Sequence, residues 1–171
     1  ARPELAWGGA ALVLMALFSN WPAFSMAQMR AVTESNVGTE LQVQGDLEAA
    51  ITLYRDSLAR NPNNAVALTN LGTALAASDQ VPEAIIHYRR ALELAPTDAD
   101  AFFNLGNALA IEGELEDAAD QLRSAIEIIP DFTEAHVNLG NVLVEIGDLE
   151  EAEGYYRRST ELEPGWVEAY N

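Results

Sequence analysis

Residues 65–98 read AVALTNLGTALAASDQVPEAIIHYRRALELAPTD, and residues 99–132 read ADAFFNLGNALAIEGELEDAADQLRSAIEIIPDF. Laid one over the other, they agree at an Asn-Leu-Gly in positions six to eight, an alanine in position 20 and a proline in position 32. The frame extends one window each way, to 31–64 and 133–166. Its prolines are Pro62, Pro96, Pro130 and Pro164, its glycines Gly38, Gly72, Gly106 and Gly140, and its alanines Ala50, Ala84, Ala118 and Ala152. Position seven holds Val37, Leu71, Leu105 and Leu139, and position 24 holds Tyr54, Tyr88, Leu122 and Tyr156. Several columns agreeing over four copies at a fixed period of 34 residues mark a repeat array.

Each window carries two apolar stripes at helical spacing with a turn between them. In the second window Leu68, Leu71, Ala74 and Leu75 form one stripe, and Ala84, Ile85, Tyr88, Ala91 and Leu92 the next. The turns hold Gly45-Asp46, Gly113-Glu114 and Gly147-Asp148, a glycine ending one helix and an acid opening the next. In the second copy the turn is Ser78-Asp79-Gln80-Val81-Pro82, with Pro82 acceptable in a first helical turn. The glycine and alanine columns are small where two helices must approach closely. The proline column ends the second helix. One such hairpin cannot bury its own apolar face, so copies stack on their neighbours.

The Leu-Gly, Ala, aromatic and Pro columns at this period resemble the tetratricopeptide repeat (TPR) family, over residues 31–166. The resemblance implies an all-α, right-handed α-solenoid of four helix-turn-helix repeats, 31–64, 65–98, 99–132 and 133–166, with a concave and a convex face. It also implies that the first helix of each repeat lines the concave groove. Position six points into that groove and is asparagine in every copy: Asn36, Asn70, Asn104 and Asn138. Helical spacing puts Thr39, Thr73, Asn107, Asn141 and Phe103 on the same side. A carboxamide both donates and accepts, so a ladder of them can bind the amides of an extended peptide or simply stabilise the groove. It resembles the asparagine ladder in the TPR arm of O-linked N-acetylglucosamine transferase. Chaperone-binding TPR domains grip a terminal carboxylate with groove cations. Here Arg55, Arg89, Arg90, Arg123, Arg157 and Arg158 fall on the second helices, so a carboxylate clamp is not expected.

Charge divides the chain. Of 171 residues, 27 are acidic and nine are arginine, with no lysine or cysteine, and the formal charge is −18. All but one of the acids follow residue 30. Such a surface argues against nucleic acid or an anionic membrane as ligand. Without cysteine there is no disulfide framework or thiol nucleophile, and without lysine no Schiff base.

Leu5 to Met29 carries no charged residue and lies between Glu4 and Arg30. Two readings stand for this segment. A signal peptide would use this apolar core and a small-residue site at Ser25-Met26-Ala27. A membrane anchor, within a domain of residues 1–30, would span about residues 5–24, with Trp7 and Trp21 as interface anchors and Ala6, Gly8, Gly9 and Ala10 offering a helix-packing face. The expectation carried forward is a retained single-pass anchor, its soluble domain exported or periplasmic. Residues 167–171 resemble the opening of a further repeat or capping helix, so the natural chain is expected to continue.

No chemistry-bearing constellation accompanies the repeats. His87 and His136 each stand alone, without a partner at metal-ligand spacing. His136 shares a column with Leu68 and Phe102 and is expected to be packed. Glu112, Glu114, Glu116, Asp117 and Asp120 resemble a cation site by charge alone. The chain is therefore expected to be no enzyme, with no cofactor and no metal. The expected role is a membrane-anchored protein-protein interaction scaffold, an accessory subunit of a larger membrane complex, with other subunits and the lipid bilayer as partners. The alternative is an assembly factor or chaperone holding extended clients in the groove.

Overall fold

Eight helices, with no strand among the described residues, make up the computed structural model, which describes residues 26–164. They are α1 (Met26–Val43), α2 (Leu47–Arg60), α3 (Ala65–Ala77), α4 (Val81–Leu94), α5 (Ala99–Ile111), α6 (Leu115–Ile128), α7 (Thr133–Ile146) and α8 (Leu149–Leu162). Local chemistry accounts for their ends. Asp46, Asn64, Asp98 and Asp148 each accept a hydrogen bond from the backbone N–H three residues on, capping α2, α3, α5 and α8. Gly45, Gly113 and Gly147 adopt the left-handed backbone that closes α1, α5 and α7; Asp79 does the same after α3 at φ 62°. Each column proline follows a C-cap residue with ψ between 77° and 90°, outside the α region that a following proline disfavours.

Helices pair within each repeat, and each second helix packs on the first helix of the next. First helices also touch one another, α1 to α3, α3 to α5 and α5 to α7, which puts them on the inner arc of an α-solenoid. The two invariant small columns lie at the intra-repeat crossing. A Cβ on Gly38, Gly72 or Gly140 would lie 2.9, 2.6 or 2.6 Å from the ring of Tyr54, Tyr88 or Tyr156. In the third repeat Leu122 takes the ring's place, and a Cβ on Gly106 would come within 2.7 Å of its Cγ. Tyr54, Tyr88, Leu122 and the alanine column are buried, so the core is one continuous ribbon between the helix layers.

The outer layer is laced across the repeats. Arg55 donates to Glu83 at 2.8 Å and Arg123 to Glu151 at 3.1 Å, each reaching one repeat forward. Arg89 lies 3.9 Å from Glu114, and Arg158 reaches back to Asp131 at 3.4 Å. The Arg55 hydrogen bond holds the Glu83 carboxyl below its ordinary range. Burial pulls the Arg123 guanidinium down, but the bonds and charge from Glu151 and Tyr155 outweigh it and its net shift is upward.

Two features depart from the repeat pattern. Helix α1 starts at Met26, inside the segment assigned to the anchor, so a first helix does carry a cation, Arg30. Val37 is 47% exposed, whereas Leu71, Leu105 and Leu139 of the same column are 1%, 3% and 0% exposed, because each of those packs on a preceding repeat. Among the described residues no helix is long and apolar enough to cross a membrane. The span at residues 5–24, with Ala6, Gly8, Gly9 and Ala10, lies outside the described residues, as does the continuation at 167–171.

Candidate peptide groove

The inner face is built from the exposed and half-buried sides of α1, α3, α5 and α7. Four of the residues singled out in the sequence, Asn70, Thr73, Phe103 and Asn104, come together in one open cleft of about 410 Å³. Val66 and Thr69 of α3, Asp98 and Asp100 at the start of α5, and Phe132 before α7 complete its lining. Asn36 is exposed in α1, and Asn138, Asn107 and Asn141 lie further along; these four do not line the cleft.

Position nine has a use inside the fold. The Tyr54 hydroxyl donates to Thr39 Oγ1 at 3.1 Å, that of Tyr88 to Thr73 Oγ1 at 3.3 Å, and that of Tyr156 to Asn141 Oδ1 at 2.7 Å. Burial raises the pKa of all three phenols, and their hydrogen bonds to Thr39 and Thr73 pull Tyr54 and Tyr88 part of the way back. Where Leu122 replaces the tyrosine, Asn107 Oδ1 accepts instead from Asn138 Nδ2 at 2.8 Å. Asn70 Nδ2 likewise donates to Thr39 Oγ1 across a repeat boundary at 3.4 Å. Two of the four position-six asparagines therefore use their amino group to tie successive first helices together, and each carboxamide keeps an oxygen for a ligand.

Sequence reasoning missed Asp98, Asp100 and Phe132. A signal for the last was present: position 34 reads Asn64, Asp98, Phe132 and Trp166, polar in the first two windows and aromatic in the last two. Asn64 and Asp98 cap the helices that follow them, but Phe132 has no side chain able to accept, and α7 starts without a side-chain cap. Its ring instead packs on Phe103, centroids 4.8 Å apart at 33°.

His136 is packed, at 5% exposure, with Nε2 3.0 Å from the Pro130 carbonyl oxygen. His87 lies 3.6 Å from Glu83 on the outer layer. Among the described residues no group of three or more His, Asp or Glu side chains is arranged to hold a metal.

Tetratricopeptide repeat models match residues 38–99, 87–120 and 133–166, and a TPR repeat model matches 106–147. No curated protein matches the sequence. Among solved structures, a crystal structure of MamA is 29% identical, covers 78% of this chain and 78% of its own, and superposes with a TM-score of 0.74. MamA from residue 41 to its end, from Desulfovibrio magneticus RS-1, is 26% identical, over 80% of this chain and 77% of its own, at a TM-score of 0.74. The first TPR of Spaghetti (RPAP3), solved with the HSP90 peptide SRMEEVD, is 22% identical over 70% of this chain and 95% of its own, at 0.69; that likeness is one of fold. The 34-residue columns, the stacked helix pairs and the repeat models agree, and the chain belongs to the tetratricopeptide repeat family.

Proposed function

We propose that this protein is a membrane-anchored interaction scaffold, an accessory subunit of a larger assembly that holds an extended segment of a partner in its inner cleft. The observation that carries the reading is the cleft itself. It combines paired aromatic rings with the Asn70 and Asn104 carboxamides on rigid helices, an apolar surface beside groups that suit peptide amides. The Spaghetti structure is an instance of this fold holding a peptide. The uncharged run from Leu5 to Met29 supports the anchor. With no reactive constellation in the sequence, the role is binding rather than catalysis.

Purification of the full chain from its native membrane in mild detergent tests the reading. A partner is expected to accompany it in stoichiometric amount. The Asn70→Ala, Asn104→Ala double variant is expected to retain clearly less of that partner at unchanged helicity. Equal retention by the variant refutes binding in the cleft.

A further inference from the structure

We propose that the cleft selects a cationic segment, an arginine- or lysine-bearing stretch of the partner protein; this rests on the cleft being the peptide site and names the class of peptide it takes. Three observations converge. The first is charge placement. The outer-layer arginines Arg55, Arg89, Arg123 and Arg158 are all matched to acids of neighbouring repeats, whereas among the described residues no ion pair engages Asp98 or Asp100, and α3, α5 and α7 contain no arginine or lysine. Asp98 and Asp100 thus stand without a countercharge where the cleft opens, as do outer-layer acids such as Glu48 and Glu116, and at the cleft alone they meet an aromatic pair. The second is the aromatic pair beside those carboxylates. Phe103 and Phe132 are half-buried and line the same cleft, so a guanidinium or ammonium entering it meets ring faces and carboxylate oxygens together. The third is the residue choice at position 34, which reads Asn64, Asp98, Phe132 and Trp166. Asn64 and Asp98 cap their helices, whereas Phe132 leaves α7 without a side-chain cap and delivers a ring to the cleft. The segment lies along the cleft with its backbone on Asn70 and Asn104 and one cation between Asp98, Asp100 and the ring pair.

Fluorescence anisotropy on the full chain in detergent tests this, at about 150 mM salt so that diffuse attraction is screened. The probes are a labelled peptide alternating arginine and leucine, its glutamine-for-arginine counterpart, and SRMEEVD. The cationic peptide is expected to bind about tenfold or more tightly than the other two. Asp98→Asn with Asp100→Asn, which keeps a capping side chain on α5, is expected to weaken it about tenfold. Glu48→Gln with Glu116→Gln removes the same charge from the outer layer and is expected to change binding less than about threefold. Phe132→Asn is expected to weaken binding while holding or raising the melting temperature, since it restores a cap to α7. Equal loss from both charge doubles makes the attraction one of net charge and overturns the proposal. Binding of the neutral peptide or SRMEEVD as tight as the cationic one, and sensitive to Asn70 and Asn104, overturns the cationic class but leaves the cleft as the peptide site. If none of the three peptides binds, the cationic class falls, and retention of the native partner judges the cleft separately.

Discussion

At Gly72 one added carbon would sit 2.6 Å from Tyr88 Cε1, with Cδ1 and Cζ at 2.8 and 2.9 Å. Alanine is the better helix former by about 0.5–1 kcal/mol, so the substitution sets propensity against packing. Packing wins because the ring is buried and cannot retreat. Gly72→Ala is expected to destabilise by about 1–3 kcal/mol net, read as a lower midpoint in a circular dichroism melt; an unchanged or raised midpoint would contradict the close crossing. The same ring carries a pH signature. Burial favours the neutral phenol of Tyr88, raising its pKa above the ordinary 10.0 in the folded state. Stability from this group is therefore full below pH 10.0 and is lost as pH rises through the raised value. The melting temperature is expected to fall as pH rises above 10.0 toward the raised value, and to fall less steeply in Tyr88→Phe, which keeps the ring and removes the titration.

Each element's role depends on what its neighbours cover. Helices α3, α5 and α7 are pinned on one side by their own partner and on the other by the preceding repeat. Among the described residues helix α1 has no preceding repeat to pack on, and several of its outward positions are polar. Thr33, Glu40 and Gln44 are exposed, while their counterparts Ala67 and Ala74 are buried and Ser78 half-buried. Leu71→Ala is accordingly expected to cost about 2–5 kcal/mol, the cost of a buried leucine. Val37→Ala, in the same column, is expected to cost under about 0.5 kcal/mol, as at an exposed site. Chemical denaturation of the two variants compares them directly. Comparable losses would mean that α1 has a neighbour covering it.

For the whole molecule, the acidic solenoid and the uncharged N-terminal run are materials of opposite kind. The acidic repeats have no attraction for an anionic bilayer surface, so the proposed membrane association rests on the N-terminal segment alone. The full chain is expected to stay with the membrane pellet through an alkaline carbonate wash, and a chain starting at Met26 is expected to be released while keeping the helical circular dichroism of the repeats and their melting transition. Release of the full chain by the wash would remove the anchor from the proposed function.

The repeat period, the two helices of each repeat and the small–large crossing could all be read from the chain, because stacking makes every copy solve the same packing problem with the same residues. Gly72 opposite Tyr88 is visible as two columns before any coordinate. The groove was legible in part. The position-six asparagines announce a face, and Asn70 and Asn104 do meet Phe103 in one cleft. Only the tertiary structure decided what each polar residue does there. Thr39, Thr73 and Asn141 share helical register with the groove but accept from tyrosines of the second helices, a contact between helices that no spacing within one helix encodes. Asp98, Asp100 and Phe132 belong to turns and helix starts, and they join the cleft only because one repeat stacks at a fixed distance on the next. Sequence by itself determined the unit and its repetition, since these rest on local propensity and close packing. The site is a product of the stacking, since its two walls come from different repeats.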